Sequence, residues 1–189
     1  GRSSADSIRL AAFNIISIIT GTGYVTDDYG SWGGFALPIF FFIMFVGGCA
    51  GSTTCSIKIF RYQVLYETAK MQMKHLIRPH GIFIGTFNGQ PISDEVENSV
   101  MSFFFLFMLT FAVLAGLLHF IGLDFLTAIS GAASAICNVG PALGDIIGPT
   151  GNYSSLPDSA KWVLSAGMLL GRLELFTVLV LFAPWFWRG

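Results

Sequence analysis

Charge is what this sequence lacks. Only 11% of its 189 residues are charged, against about a quarter in an ordinary soluble domain. So sparse a set cannot cover the chain with a water-compatible surface, which excludes a free soluble globule. The residual net charge of −1 gives no general attraction for nucleic acid. Cysteine is scarce too. Cys49, Cys55 and Cys137 form an odd set without metal-ligand spacing, so they read as small buried residues rather than a zinc site or disulfide framework. His75, His80 and His119 make no ligand pattern either. An initiator Met and a signal-peptide pattern are absent, so a fragment that lacks upstream membrane helices is expected.

What is present is apolar mass. Hydrophobic residues make up 53% of the chain, 19 of them Phe, and the mean hydropathy is +0.69. The fold class this predicts is an all-α polytopic membrane protein. Two helical stretches are too short to cross a bilayer, which takes about twenty residues. One starts near Asp6 or Ser7, either of which can cap it, and runs to Thr20; the other runs from Asp124 to Ile136. Each leads into a glycine-bearing break, Thr20-Gly21-Thr22-Gly23-Tyr24 in the first case and Cys137-Asn138-Val139-Gly140 in the second. Placing Gly23 in register with Gly140 also pairs Ser17 with Ser134, Ile19 with Ile136 and Asp28 with Asp145.

That pattern carries chemistry. A dehydrated cation can exchange its water shell for backbone carbonyls held in an extended strand by a short helix behind them. Gly21 and Gly23 permit the backbone angles this needs, and Thr20 and Thr22 can add hydroxyl oxygens or brace the strand. The alternative is a pair of re-entrant loops that only pack.

An apolar run over 35–46 ends in ten small residues, Gly47-Gly48-Cys49-Ala50-Gly51-Ser52-Thr53-Thr54-Cys55-Ser56. A break at membrane depth leaves backbone groups without partners, so this loop is either a gate or a close helix-packing patch. A helix bearing Lys58, Arg61, Lys70, Lys74 and Arg78 follows and marks the cytoplasmic side. Pro79 ends it, and Asn88-Gly89 signals a small cytoplasmic β-hairpin. Ser93 opens a helix that is apolar from Val100 to Gly122. Trp162 to Trp187 reads as the final span, with Trp185, Trp187 and Arg188 at its cytoplasmic end. Arg172 lies within it, and Glu174, two positions on, points away. An arginine at the centre of a membrane helix needs acceptors, and the small-residue loop is the natural source; a structural ion pair is the other reading.

Three motifs resemble the Trk/Ktr/HKT superfamily of potassium transporters, most closely its TrkH branch. They are Val46-Gly47-Gly48-Cys49-Ala50-Gly51-Ser52-Thr53, Asn138-Val139-Gly140-Pro141-Ala142-Leu143-Gly144, and Gly171-Arg172-Leu173-Glu174 with Phe182-Ala183-Pro184-Trp185-Phe186-Trp187-Arg188. Thr22-Gly23-Tyr24 is similar to the Thr-Val-Gly-Tyr-Gly filter of potassium channels. The resemblance implies span–pore helix–filter–span repeats, four to a subunit. Residues 1–78 would be the third, lacking its first span, residues 79–92 the hairpin connector, and residues 93–189 the fourth. It also implies K+ uptake across the bacterial inner membrane, with K+ on backbone carbonyls of the filter residues, no cofactor, and the loop from Gly47 as a gate beside Arg172. Implied partners are the missing N-terminal repeats, a second copy in a homodimer, membrane lipid and a cytosolic nucleotide-binding, TrkA-like regulatory ring. The family's gate usually continues in glycines, where this chain has Thr54-Cys55-Ser56.

Two other classes compete. An intramembrane hydrolase needs a nucleophile and a base, but Ser134 has no glycine two residues beyond it and no motif ties it to His119. A membrane assembly subunit without an ion pathway is the third reading.

Overall fold

The computed structural model describes residues 3–173 and 186–187. The remainder of the expected final span, including Glu174, Trp185 and Arg188, lies outside the described residues. Among the described residues are six α-helices and one short hairpin: α1 (Ser4–Ile19), α2 (Ala36–Phe45), α3 (Ile59–Ile77), β1 (Thr86–Phe87), β2 (Gln90–Pro91), α4 (Asp94–Phe120), α5 (Phe125–Cys137) and α6 (Asp158–Arg172). Two 3₁₀ turns, Tyr29–Ser31 and Tyr153–Ser155, interrupt the loops that follow the glycine breaks.

The sequence places the start of α1 too late. Ser3 is its N-cap without a side-chain bond, Ser7 Oγ donates to the Ser3 carbonyl at 3.2 Å, and Asp6 pairs with Arg9 at 3.2 Å. Both residues expected as caps therefore lie inside the first turn, where an acid still complements the helix dipole. At α5 the cap falls where expected: Asp124 accepts from the Thr127 backbone N–H at 3.1 Å. Hydrogen bonding from the Thr127 side chain first, and from its backbone N–H second, holds the Asp124 carboxyl below the usual carboxylate range.

α5 sits at the centre, with α4 and α6 packed against it. Its run Gly131-Ala132-Ala133-Ser134-Ala135-Ile136-Cys137 is buried throughout, as expected of a helix enclosed on all sides. Small side chains let the neighbours approach closely. Gly171 of α6 is the tightest case, since a Cβ there would overlap the Ile136 carbonyl oxygen. The phenylalanines join the two halves edge to face: Phe45 meets Phe107 at 6.1 Å and Phe111 at 5.4 Å between ring centroids.

Among the described residues α4 is the helix long and apolar enough to cross a membrane. Only 22% of its apolar window is buried against the rest of the chain, so most of that surface faces outward. The hairpin pairs Thr86 with Pro91 and Phe87 with Gln90. Asn88 and Gly89 both have positive φ, 49° and 76°, the signature of a type I′ turn.

Candidate functional site: two glycine breaks and a pinched loop

The short helices end in the same way. The Ser17 carbonyl accepts from Thr22 N–H at 2.9 Å, and the Ser134 carbonyl accepts from Val139 N–H at 3.0 Å. Thr22 and Val139 are register partners, so one hydrogen bond recurs in both copies. A second amide is tied back in each: Gly23 N–H to the Ser17 carbonyl at 3.2 Å, and Gly140 N–H to Ser134 Oγ at 3.2 Å. In a trans peptide the carbonyl points opposite to the N–H that follows it, and no peptide here is cis. The carbonyls of Gly21 and Thr22 are therefore turned away from α1, and those of Asn138 and Val139 away from α5.

The two segments meet. A Cβ on Gly140 would lie 4.0 Å from Gly23 Cα, and one on Gly21 would lie 3.8 Å from the Asn138 oxygen. A Cβ on Gly23 would overlap the Val139 carbonyl oxygen. Gly23 also has φ +77°, so this position excludes a side chain twice over.

Three expected filter residues sit differently from the sequence reading. Cys137 is the last residue of α5, fully buried, rather than part of the break. Tyr24 is 72% exposed and points away from the packed core. The Gly140 carbonyl accepts from Ser134 Oγ at 2.9 Å and from the Tyr153 hydroxyl, so both of its lone-pair directions face scaffold donors. Thr20 Oγ1 donates to the Ile16 carbonyl at 2.8 Å and lies 2.8 Å from Thr22 Oγ1, so these hydroxyls brace the strand.

Several supporting side-chain bonds carry no signal in the sequence, even where the residue itself, as with Asn138, is one the sequence picks out. Asn14 is buried and exchanges bonds with Thr26, 3.1 Å to its hydroxyl and 3.2 Å from its N–H. Asn138 donates to the Met168 carbonyl at 3.0 Å, fixing α6 to the second break. Ser130 Oγ accepts from Leu143 N–H at 3.1 Å. Burial raises the Tyr153 hydroxyl above its ordinary range, so it remains a donor. Ser134 and His119 do not form a nucleophile–base pair. Ser134 Oγ is taken up by Gly140, while His119 Nδ1 bonds the Leu123 carbonyl at 2.9 Å.

The small-residue loop is pinched at its base. Val46 and Ile57 form a parallel bridge, Gly47 N–H donates to the Ile57 carbonyl at 2.9 Å, Ile59 N–H to the Gly48 carbonyl at 3.2 Å, and Ser56 Oγ to the Met44 carbonyl at 2.8 Å. Above the pinch the chain turns through Cys49, Ala50 and Gly51, closed by Ser52 N–H on the Cys49 carbonyl at 3.0 Å. Cys49 is exposed and Cys55 half-buried, while Cys137 is buried; the expectation that all three are buried fails for the two that sit on this loop. Arg172 Nη1 reaches the loop, 3.0 Å from the Thr53 carbonyl and 3.3 Å from Cys55 Sγ. A cavity of about 190 Å³ opens there, lined by Ser52 to Ser56, Lys58, Arg61, Phe103, Phe107, Gly171 and Arg172. The loop also touches the first break, since the Thr54 methyl lies 3.9 Å from the Cβ position of Gly21.

Comparison with known proteins agrees with this architecture. A family model described as TrkH, cation transport protein, matches residues 2–188. The Trk system potassium uptake protein TrkI of Halomonas elongata is 50% identical over 188 residues, covering all of this chain and 38% of the relative. The Trk system potassium uptake protein TrkH of Escherichia coli is 34% identical, covering 96% of this chain and 37% of its own length. The crystal structure of the potassium transporter TrkH from Vibrio parahaemolyticus superposes with a TM-score of 0.91 at 35% identity, over all of this chain and 40% of that one. The chain thus spans under half the length of the relatives it matches. Its kin are transport proteins rather than enzymes. This chain belongs to the TrkH family of cation transport proteins.

Proposed function

We propose that the chain supplies two adjacent repeats of a K+ uptake pore, the third and fourth of four, in the inner membrane of a bacterium. The observation that carries this reading is the recurring backbone bond, Thr22 to Ser17 and Val139 to Ser134. It turns paired carbonyls away from two short helices whose glycine breaks meet. K+ sheds water onto the carbonyls of Gly21, Thr22, Asn138 and Val139, oxygens whose number and field set selectivity. The Gly140 carbonyl, bonded to the scaffold, stands outside that set. The loop over 47–56 acts as the gate, held by Arg172 through Thr53. The pathway is completed by N-terminal repeats of the same protein, and the whole works as a homodimer in lipid with a cytosolic nucleotide-binding ring. The relatives named as potassium uptake proteins support the choice of ion.

The test is ion flux from liposomes carrying the whole protein. K+ flux is expected in the parent and is expected to vanish when Gly23 and Gly140 are each replaced by Val. Flux that persists in both variants would sink the filter assignment.

A further inference from the structure

The two glycine breaks are braced unequally. Ser134 Oγ donates to the Gly140 carbonyl at 2.9 Å and accepts from Gly140 N–H at 3.2 Å. Its register partner Ser17 is also buried, yet Ser17 Oγ has no hydrogen-bond partner among the described residues. The second break receives one donor more, the Tyr153 hydroxyl on the same Gly140 oxygen. Tyr153 is 13 residues away, in a 3₁₀ turn that is itself fixed. Asn152 Oδ1 accepts from Ser154 N–H at 2.9 Å, Asn152 N–H donates to the Ile146 carbonyl at 3.1 Å, and Leu156 N–H donates to the Tyr153 carbonyl at 3.3 Å.

We infer that Tyr153, acting with Ser134, is a specificity-determining positioning residue that withholds the Gly140 carbonyl from the ion. The inference rests on the pore reading above. Gly140 has φ +104° and no side chain, so its own torsions resist rotation little. Gly140 is exposed, at the mouth of the contact with Gly23. Were its carbonyl released, it could swing toward the cation and add a ligand, altering the count of oxygens on which K+ is told from Na+. Two donors on one oxygen prevent that swing, and each is held by a different element: Ser134 by α5, Tyr153 by the outer loop. Tyr153 touches the strand and not the ion, so it sets the ligand number indirectly.

Tyr29 supplies an internal control. It is a fully buried tyrosine, where Tyr153 is half-buried; it stacks on Phe40 with 4.0 Å between ring centroids, and its hydroxyl has no partner among the described residues. The experiment reconstitutes the whole protein and measures K+ and Na+ permeability for the parent, Y153F, S134A and Y29F. Y153F keeps the ring and loses only the donor. It is expected to lower the K+ over Na+ ratio on the order of threefold to tenfold, the scale of one net hydrogen bond, while retaining K+ flux. S134A is expected to fall in the same direction, and Y29F to keep the parent ratio. A Y153F protein with the parent ratio overturns the inference. If Y153F does not reach the membrane, S134A decides, a parent-like ratio overturning the inference and a reduced one supporting it. A fall in Y29F equal to that in Y153F also overturns it, since loss of any buried hydroxyl would then suffice. A parent without K+ preference overturns the pore reading itself, and this inference with it.

Discussion

Gly23 meets two demands that no other residue satisfies together. Its φ of +77° costs an L-residue roughly 1–2 kcal/mol, and the Val139 carbonyl oxygen occupies the space that a Cβ would need. Neither demand concerns the bulk of the core. Gly23→Ala is therefore expected to reduce K+ over Na+ preference in a flux assay by more than it reduces the amount of protein in the membrane. An unchanged ratio would remove Gly23 from the filter. Glycines of this kind are legible in a sequence because backbone angle restricts the choice of residue. The hydroxyl clamp on Gly140 is not. Ser17 and Ser134 fall in register, yet only the folded chain distinguishes a hydroxyl with partners from one without. Tyr153 carries no local signal, since its bond to Gly140 is made by the outer loop folding back.

Among elements, the small-residue loop combines local order with ties to remote parts of the chain. Its base is closed by backbone bonds and its turn by Ser52, while its middle meets α6 through the Arg172 guanidinium on Thr53 and Cys55. Arg172 is exposed among the described residues; at membrane depth an arginine needs acceptors, and a broken helix has carbonyls that need donors. Arg172→Ala is expected to raise basal K+ flux and weaken its control, and deletion of two residues from the turn is expected to do the same. Variants that conduct like the parent while remaining folded would make Arg172 a structural residue and place the gate elsewhere. The elements themselves were largely readable: short helices, small-residue run and hairpin all lie within a few residues of where periodicity and turn chemistry put them. The misses have physical causes. α1 starts early because Asp6 and Ser7 fit inside a first turn as well as ahead of it. Cys137 remains helical because Asn138, at φ 52°, takes the left-handed turn that ends α5.

On the scale of the whole molecule, polar surface collects where α3 meets the hairpin. Lys70 pairs with Glu67 at 3.1 Å, and Lys74 lies 5.9 Å from the Phe83 ring, so these charges lie beside a formed surface. If that surface docks a cytosolic ring, K70E together with K74E is expected to abolish its capture in a pull-down of the whole protein. Capture at the parent level would leave the lysines as anchors of membrane orientation only.

The bridge between Val46 and Ile57 has a consequence for how such a protein can change over generations. Because the residues at the base of the loop are bonded to each other, the end of α2 and the approach to α3 are tied together below the turn. Codons can be gained or lost above the pinch without shifting the register of either helix, and with it every lipid-facing and core-facing side chain. Closing a longer excursion adds little, about 0.6 kcal/mol for each doubling of its length. Length and composition can thus vary above the pinch, where this chain has Thr54-Cys55-Ser56, separately from the helices on either side.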